Sequence, residues 1–445
     1  MGHEQSAATG LERTLGLRDL ILLIIGTVIG SGIFIVPGAV MRQTNGSIAF
    51  ALLVWFAGGI LSLLGALTYG ELSAMSPKAG GLYIFIRDGF GKLPAFLYGW
   101  TLFFVISSGS VATLAVAFSS YLGQIVPLSP LMAKLAAIAM ILVVTIINVL
   151  GTRESANVQD WTTTIKVAAI LLMSVLLFAW GRGFMSSPAP ASASVTFASL
   201  ASGIGAAMIG VLWAYEGWQY VTFSAGETVD AKRIFPRALL VGSAALIGIY
   251  ILANLAYLAA LGPAKAAQTD AIAAASVSAV FGAPASKLVA VAILISIFGA
   301  TNGLMLTAPR VYYAMARDGV FFHKLAEIHP RFRTPAFAVL AGSVWAILLA
   351  ATGTFEQLLT YVVFTGWLFY ALSAASIFVY RRRTSESTLT YRVPGYPWTP
   401  LLFIAAAAAL VLNTIVTQTG RAAIGLGIVL LGAPAYLFWD RSKRN

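Results

Sequence analysis

Apolar runs of about 20 residues recur about twelve times along this chain, separated by short polar segments. A bilayer core is about 30 Å thick, so a spanning helix needs about 20 predominantly apolar residues. The pattern therefore predicts an all-α membrane protein with about twelve transmembrane helices. The predicted spans are 17–41, 48–75, 92–123, 131–150, 161–181, 201–224, 238–261, 286–317, 336–352, 355–380, 400–418 and 421–439.

Two of these spans carry glycine and polar residues near their middle, at 26–34 and at 213–219. Unpaired backbone groups are costly in hydrocarbon, so a helix is not interrupted there without a reason. Breaks five helices apart are typical of two inverted five-helix repeats with the binding site between the broken helices. We predict the first repeat at 1–181, the inverted repeat at 182–383, and two further helices within 384–445.

The composition and the distribution of charge agree with this pattern. The chain has 445 residues, of which 59% are hydrophobic and 10% charged, whereas a soluble protein has about 25% charged residues. Of the 28 lysines and arginines, 21 fall in segments on the same predicted side as the N-terminus and six on the other side. This bias places both termini in the cytoplasm and gives no reason to expect nucleic acid as a partner. Residues 1–10 lack a cleavable signal pattern, so we expect the first apolar segment to be retained.

Residues that would support catalysis or metal binding are scarce. The chain has no cysteine, and His3, His323 and His329 are far apart in sequence, so we predict no metal and no cofactor. No cluster of His, Asp and Glu lies within the spans, which argues against an enzyme. The spans also lack the repeated polar faces expected of a channel.

The two breaks suggest a ligand with a charge of each sign. If the first helix unwinds at 30–32, its second half begins with free N–H groups that suit a carboxylate. The carbonyls of Val28 and Ile29 then suit an ammonium group, and the sixth span, broken at 215–217, offers the same features inverted. Together they fit the head group of an α-amino acid. The alternative, that the small residues only allow close helix packing, is less favoured because a second break matches the first.

Motifs spread in order along almost the whole chain resemble the amino acid–polyamine–organocation (APC) superfamily. They are GTVIGSGIF at 26–34 followed by Pro37, YGELSAMSPKAGGLYIFIRDGFG at 69–91, WAYEGWQ and GETVDAKRIFPRA within 213–238, ISIFGATNGLMLTAPRVYYAMARDG at 295–319, HPRFRTP at 329–335, and RRR with YRVPGYPWTPLLF within 381–403. The segments at 295–319 and 329–335 look most like the L-type amino acid transporter branch. The resemblance implies a LeuT-like fold and sodium-independent exchange of neutral amino acids.

The resemblance also implies roles for residues at the breaks. Backbone N–H groups of Ser31, Gly32 and Ile33 would hold the substrate carboxylate, and carbonyls at Val28 and at 213–216 would meet its ammonium. Trp213 would lie over the substrate as a gate that closes the extracellular side. The predicted substrate site comprises Val28, Ile29, Gly30, Ser31, Gly32, Ile33, Trp213, Ala214, Tyr215 and Glu216.

Lys166 lies five residues into the fifth predicted span. A lysine within a membrane costs about 2.5–3.5 kcal/mol on insertion scales and is by default a functional candidate. The alternative is that its ammonium reaches the cytoplasmic surface. The resemblance implies that this lysine replaces a bound sodium ion and bridges helices 1, 5 and 8. Its three donors suit backbone carbonyls near Gly26 and a hydroxyl such as that of Ser296. We therefore predict transport that does not depend on sodium.

Several other polar residues are predicted near or within the spans. Glu216 is expected to cap the second half of the sixth helix or, alternatively, to shape the pocket and take part in proton coupling. Glu71, Glu227 and Arg310 are predicted to form a charge network that closes the cytoplasmic side, or else to be solvated helix ends. Asn302 is expected to hydrogen-bond across helices.

We therefore predict an exchanger of neutral L-amino acids in the bacterial cytoplasmic membrane, with an amino acid and the lipid bilayer as its partners. A proton-coupled symporter of the same fold and an amine or polyamine transporter are the alternatives. Amines lack the carboxylate that the N–H groups of 31–33 would bind. Animal light chains of the resembling branch join a heavy chain through a cysteine between helices 3 and 4. The segment 124–134 has none, which excludes a disulfide-linked heavy chain.

Overall fold

The computed structural model describes residues 11–185, 197–353, 355–383 and 389–441. Within these ranges all regular secondary structure is helical, and the β contacts amount to one isolated bridge between Leu15 and Thr228. The predicted all-α fold is thereby confirmed. His3, Lys443, Arg444 and the predicted boundary at 384 lie outside the described residues.

The helices follow one another with short connections. In the first half they are α1 (Leu17–Val28), α2 (Gly32–Gln43), α3 (Ile48–Met75), α4 (Leu82–Phe90), α5 (Lys92–Thr101), a π-helical turn (Leu102–Ile106), α6 (Ser107–Gly123), α7 (Pro130–Leu150) and α8 (Thr152–Trp180). In the second half they are α9 (Phe197–Ala214), a 3-10 helix (Trp218–Glu227), α10 (Ala231–Ala267), α11 (Ile272–Phe281), α12 (Ser286–Thr307), α13 (Pro309–Arg317), α14 (Ala336–Thr352), α15 (Phe355–Arg383), α16 (Trp398–Thr417) and α17 (Thr419–Arg441). Short 3-10 turns lie at Gly183–Met185, Ala283–Ala285 and His323–Ala326.

In the part of the chain that the structure describes, nine helical segments are long and apolar enough to cross a membrane, and the bent pair of α1 and α2 makes a tenth. The sixth and ninth predicted spans correspond to α9 and α14, which are helical but not among those ten. The chain is thus a multi-span membrane protein. The count of exactly twelve and the division into two inverted repeats stay predictions.

Local sequence explains where several helices begin. Ser47 caps α3 by accepting the N–H of Phe50 (3.4 Å), and Ser129 caps α7 by accepting the N–H of Met132 (3.3 Å), which satisfies donors that have no partner within the helix. α8 begins at Thr152, nine residues before the predicted start. Residues 152–160 are mostly polar, so the hydropathy pattern predicted only the part of α8 that crosses hydrocarbon.

The packing surrounds the first span with other helices. α1 packs against α8, α10 and α12, while α3 packs along α10 and α6 packs against α12 and α14. Ile24, Ile29 and Ile33 are consequently fully buried. Large apolar side chains on the outer helices, such as Leu172, are exposed, as expected for side chains that face lipid. The first break therefore lies in the interior of the helical bundle.

Candidate functional site

The first span is interrupted between α1 and α2. α1 ends at Val28, α2 begins at Gly32, and the pair is bent by 48°. The N–H of Gly30 donates to the carbonyl of Val28 (2.8 Å). Within the described residues the N–H groups of 31–33 donate to no acceptor, and the Ser31 hydroxyl has no partner. The start of α2 therefore presents free donors at the positive end of a helix dipole.

The sixth span is interrupted after α9. The helix ends at Ala214, and the chain resumes as a 3-10 helix at Trp218. Gly217 between them has a φ of +129°, a conformation that residues with a Cβ rarely adopt. The carbonyl of Ala214 accepts the hydroxyl of Tyr250 (2.9 Å), which also lies 3.2 Å from the carbonyl of Val28. One side chain of α10 thus spans both breaks.

The two breaks are in direct contact. A Cβ placed on Gly32 would lie 2.8 Å from the Cβ and 2.9 Å from the Cα of Ala214. A Cβ placed on Gly217 would lie 3.1 Å from the carbonyl carbon and oxygen of Thr27. Glycine is favoured at both positions, at Gly32 because a Cβ would come too close to the backbone of Ala214, and at Gly217 because of its positive φ and the tight approach of Thr27.

A small cavity lies between the breaks. Seven of the ten residues predicted for the substrate site line it, namely Val28, Gly30, Ser31, Gly32, Trp213, Ala214 and Glu216. Its walls also include residues that sequence reasoning missed: Thr27, Ser110, Thr113, Leu114, Gly217, Tyr220, Ala300, Leu304 and Val362. These come mainly from α6, α12 and α15, whose long apolar runs do not reveal which face points inward. For α6, the polar run Ser107–Ser110 within the third span was the sequence feature that could have indicated which face points toward the cavity.

Three predicted residues do not line the cavity. The Ile29 carbonyl accepts hydrogen bonds from Lys166 and Ser296, so it is not free for a substrate ammonium. Ile33 is fully buried. The ring of Tyr215 packs with its centroid 5.9 Å from that of Trp55 and 4.9 Å from that of Tyr250, which turns it away from the break.

Glu216 turns its side chain into the cavity and does not cap a helix. Its Oε1 accepts the hydroxyl of Tyr370 and lies 3.5 Å from the amide nitrogen of Gln219. Within the described residues its Oε2 is buried without a partner. The N–H of Gly217, at the start of the 3-10 helix, is instead satisfied by Oε1 of Gln219 (3.2 Å). The expectation that Glu216 caps this helix is wrong.

Lys166 is buried beside the first break. Its Nζ donates to the carbonyls of Gly26 (2.6 Å), Ile29 (2.7 Å) and Ser296 (3.1 Å), which uses all three donors of an ammonium. The Ser296 hydroxyl donates to the carbonyls of Ile29 and Gly30, each at 2.9 Å. The predicted residues thus meet, although Ser296 binds the lysine through its carbonyl rather than its hydroxyl. Lys166 does not reach the cytoplasmic surface, since it is 1% exposed.

A buried ion pair lies where the predicted cytoplasmic ends of the helices meet. Arg310 donates to both carboxylate oxygens of Glu227 (2.6 and 2.7 Å), and the Thr152 hydroxyl donates to the same carboxylate (2.7 Å). The N–H groups of Thr14 and Leu15 donate to the carbonyl of Glu227 (2.9 and 3.0 Å). The N-terminal segment is therefore tied to the end of the sixth span.

The third acidic residue predicted for this network lies elsewhere. Glu71 accepts two hydrogen bonds from Arg381 (both 2.7 Å) and one from the N–H of Val393, so its inclusion with Glu227 and Arg310 was wrong. Asn302, as predicted, bonds across helices: its amide nitrogen donates to the carbonyl of Ser155 (3.0 Å).

A helical membrane protein with two broken spans around a buried polar cavity has the architecture of a secondary transporter. A family model described as amino acid permease matches residues 15–433, and the chain belongs to that family. It is 32% identical to the serine/threonine exchanger SteT of Bacillus subtilis, over 98% of this chain and 99% of that protein. It is 33% identical to the rat b(0,+)-type amino acid transporter 1, over 92% and 84% of the two chains. It is 30% identical to the mouse large neutral amino acids transporter small subunit 2, over 98% and 83%.

Proposed function

We propose that the protein exchanges neutral L-amino acids across the cytoplasmic membrane by alternating access and without sodium. The observation that carries this proposal is the cavity between the two breaks, where the free N–H groups at the start of α2 face Glu216 and the end of α9. Donors for a carboxylate and acceptors for an ammonium both line this cavity. Membership in the amino acid permease family supports the same substrate class.

The hydrogen bonds at the breaks refine how the head group binds. The substrate carboxylate meets the N–H groups of Ser31 and Gly32, which line the cavity. The ammonium meets the carbonyl of Thr27, which accepts no hydrogen bond within the described residues, and the carboxylate of Glu216. We expected the carbonyls of Val28, Ile29 and Ala214 to bind the ammonium, but hydrogen bonds within the protein already engage all three.

The substrate side chain then extends toward α6, α12 and α15. Thr113, Ala300 and Val362 are among the residues that line this part of the cavity. The relatives differ in the substrates that their names give, since one exchanges serine and threonine and another carries large neutral amino acids. They support exchange of amino acids as a class and leave the preferred side chain to experiment.

Independence from sodium rests on Lys166. Its ammonium is held by three carbonyls of α1, of the break and of α12, a position that a sodium ion would otherwise occupy to join the same elements. A fixed positive charge removes the need for the cation. This role for Lys166 is part of the proposal.

Alternating access requires the two ends of the cavity to open in turn. On the predicted cytoplasmic side the ion pair of Arg310 and Glu227 joins the end of the sixth span to α13. On the predicted outer side Arg42 forms an ion pair with Asp270 and donates to the carbonyl of Thr269. We propose that transport breaks one set of contacts at a time, with Trp213 closing the outer path.

A proton-coupled symporter is the second candidate, and Glu216 is the observation that favours it. A carboxylate with one unpartnered oxygen inside the substrate cavity is a plausible proton carrier. An amine or polyamine transporter is less favoured because an amine leaves the N–H groups of Ser31 and Gly32 without a partner.

We further propose that both termini are cytoplasmic and that the protein acts as a transporter rather than an enzyme. The charge bias of the loops supports the orientation. The chain has no cysteine, so a heavy chain could not be attached through a disulfide bond.

Exchange is tested in proteoliposomes that contain purified protein. We expect uptake of labelled amino acid when unlabelled amino acid is present inside, and little uptake into vesicles without it. Replacing external sodium by choline should leave the rate unchanged. A strict sodium requirement would overturn the role of Lys166, and uptake driven by a pH gradient into vesicles without internal substrate would favour the symporter.

The substrate is identified by thermal denaturation of the purified protein with each of the twenty amino acids. Binding to the folded state stabilises it by about 2.7 kcal/mol when the ligand is present at about 100 times its Kd. A true substrate should therefore raise the melting temperature clearly. If no amino acid does so at millimolar concentration, the proposed function fails.

A further inference from the structure

A second polar cavity lies at the start of α8, apart from the substrate site. It is lined by Arg18, Arg153, Asn157, Asp160, Trp161 and Thr164. Five of these residues lie on α8 at spacings of three, four and seven to eight positions, which places them on one face of the helix. Arg18 belongs to the first turn of α1.

The depth of this cavity follows from the sequence of α8. The helix begins at Thr152, but its apolar run begins only at 161, so the turns before that residue extend beyond the hydrocarbon. Trp161 is 72% exposed, and tryptophan is enriched at the level of the lipid headgroups. The cavity therefore opens at the headgroup level of the leaflet that we predict to be cytoplasmic.

The charges in the cavity are of both signs. Arg153 is engaged, because it donates to Asp19 (3.0 Å) and to Asn157 (3.0 Å). Within the part of the chain that is described, the exposed Arg18 makes no hydrogen bond, and Oδ1 of Asp160 is buried without a partner. Arg18 and Asp160 also do not form an ion pair with each other. The Asp160 carboxyl also lies close enough to Asp19 to form a hydrogen bond with it, and Arg18 and Arg153 attract it electrostatically. The guanidinium of Arg18 and Oδ1 of Asp160 are thus the charged groups of the cavity that still have hydrogen-bonding capacity for a ligand.

We propose that this cavity binds the headgroup of a phospholipid that carries both a phosphate and a primary ammonium, as phosphatidylethanolamine does. The phosphate pairs with the guanidinium of Arg18, and the ammonium donates to the carboxylate of Asp160. An anionic headgroup alone would meet the carboxylate of Asp160 unfavourably. A quaternary ammonium has no N–H with which to satisfy it. The bound headgroup joins the start of α1 to α8.

The test uses full-length protein in detergent, mixed separately with phosphatidylethanolamine, phosphatidylglycerol or phosphatidylcholine of identical acyl chains. Native mass spectrometry measures the fraction of protein that retains each lipid. We expect about threefold better retention of phosphatidylethanolamine than of the other two, the size of effect typical of an exposed ion pair.

Two substitutions and a control locate the site. Arg18→Gln should weaken retention of phosphatidylethanolamine and phosphatidylglycerol, while Asp160→Asn should remove the preference for phosphatidylethanolamine alone. Arg237→Gln, an exposed arginine of α10 outside the cavity, should change nothing. Each variant is compared as the monodisperse fraction from size exclusion, so that a folding defect is not scored as lost binding.

Three results would overturn the proposal. These are equal retention of the three lipids, unchanged retention in both cavity variants, and displacement of the lipid by millimolar inorganic phosphate, which would indicate a site for a free anion. None of these results depends on transport, so the proposed exchange function is unaffected by them.

Discussion

The Nζ of Lys166 lies 2.6 Å from the carbonyl oxygen of Gly26 and 2.7 Å from that of Ile29. One side chain of α8 thereby holds the end of α1 and the residue that follows it. The carbonyl of Gly26 has no helical partner, so the lysine satisfies a group that would otherwise be buried and unpaired, and it shares the Ile29 carbonyl with the hydroxyl of Ser296.

Replacing this lysine should therefore affect both stability and transport. In Lys166→Met the carbonyl of Gly26 loses its donor, and a buried unsatisfied group costs about 1–3 kcal/mol. We expect a lower melting temperature and at least a tenfold loss of exchange, which corresponds to a free-energy cost within that range. Lys265→Met, which removes an exposed lysine of α10, serves as the control. Full exchange in Lys166→Met would show that the lysine is dispensable.

The contact between the two breaks should not tolerate a methyl group. In Gly32→Ala the new Cβ would lie 2.9 Å from the backbone Cα of Ala214, which can move only if α9 moves. Overpacking of this kind costs about 1–3 kcal/mol, so we expect exchange to fall by about tenfold or more. Gly205→Ala, where no atom lies within 4 Å of the new Cβ, is the matched control within α9. Equal rates in the two variants would contradict the packing of the breaks.

Glu216 allows exchange and proton coupling to be separated. Glu216→Gln keeps an oxygen that can accept the hydroxyl of Tyr370 but cannot release a proton. If the protein is an exchanger, a pH gradient should drive no uptake into vesicles without internal substrate, either in the wild type or in this variant. Tyr370→Phe removes that hydrogen bond while the carboxylate remains, and shows separately what the contact itself contributes. Uptake driven by a pH gradient in the wild type that disappears in Glu216→Gln would favour the symporter.

The buried pair of Arg310 and Glu227 should show strong coupling. Removing one partner leaves the other charge buried and unpaired, which costs about 3–5 kcal/mol. Arg310→Met and Glu227→Gln should each lower the melting temperature. The decrease in the double variant should be clearly smaller than the sum of the decreases in the two single variants. Strictly additive losses would mean that the two residues act independently. Arg233→Met, whose arginine is exposed, should have little effect.

Much of the fold could be predicted because hydrocarbon imposes a simple requirement on each span. The predicted spans 48–75 and 92–123 coincide with helical segments of the structure. The prediction was poorer where a helix leaves the hydrocarbon, as at Thr152, and it did not include the amphipathic α4. In those places the helix is stabilised by contacts with the rest of the protein, which hydropathy does not report.

The candidate site was predictable only where the backbone itself is unusual. Glycines at 32 and 217 marked the breaks, because few other residues permit the close approach of backbone seen there. Sequence could not show that the Ile29 carbonyl is consumed by Lys166 and Ser296, since that depends on where α8 and α12 pass. It also could not orient Tyr250, whose hydroxyl reaches both breaks from α10.

The free N–H groups after Gly30 have a consequence for how this protein would respond to selection. These main-chain groups would bind the carboxylate that all amino acid substrates share. A mutation that changes a side chain leaves them in place. An alanine scan would accordingly overlook Ser31 as a determinant of affinity, while variants with new preferences would accumulate at Thr113, Ala300 and Val362, which line the cavity. This division would let substrate preference change during evolution while the site for the amino acid head group stays the same.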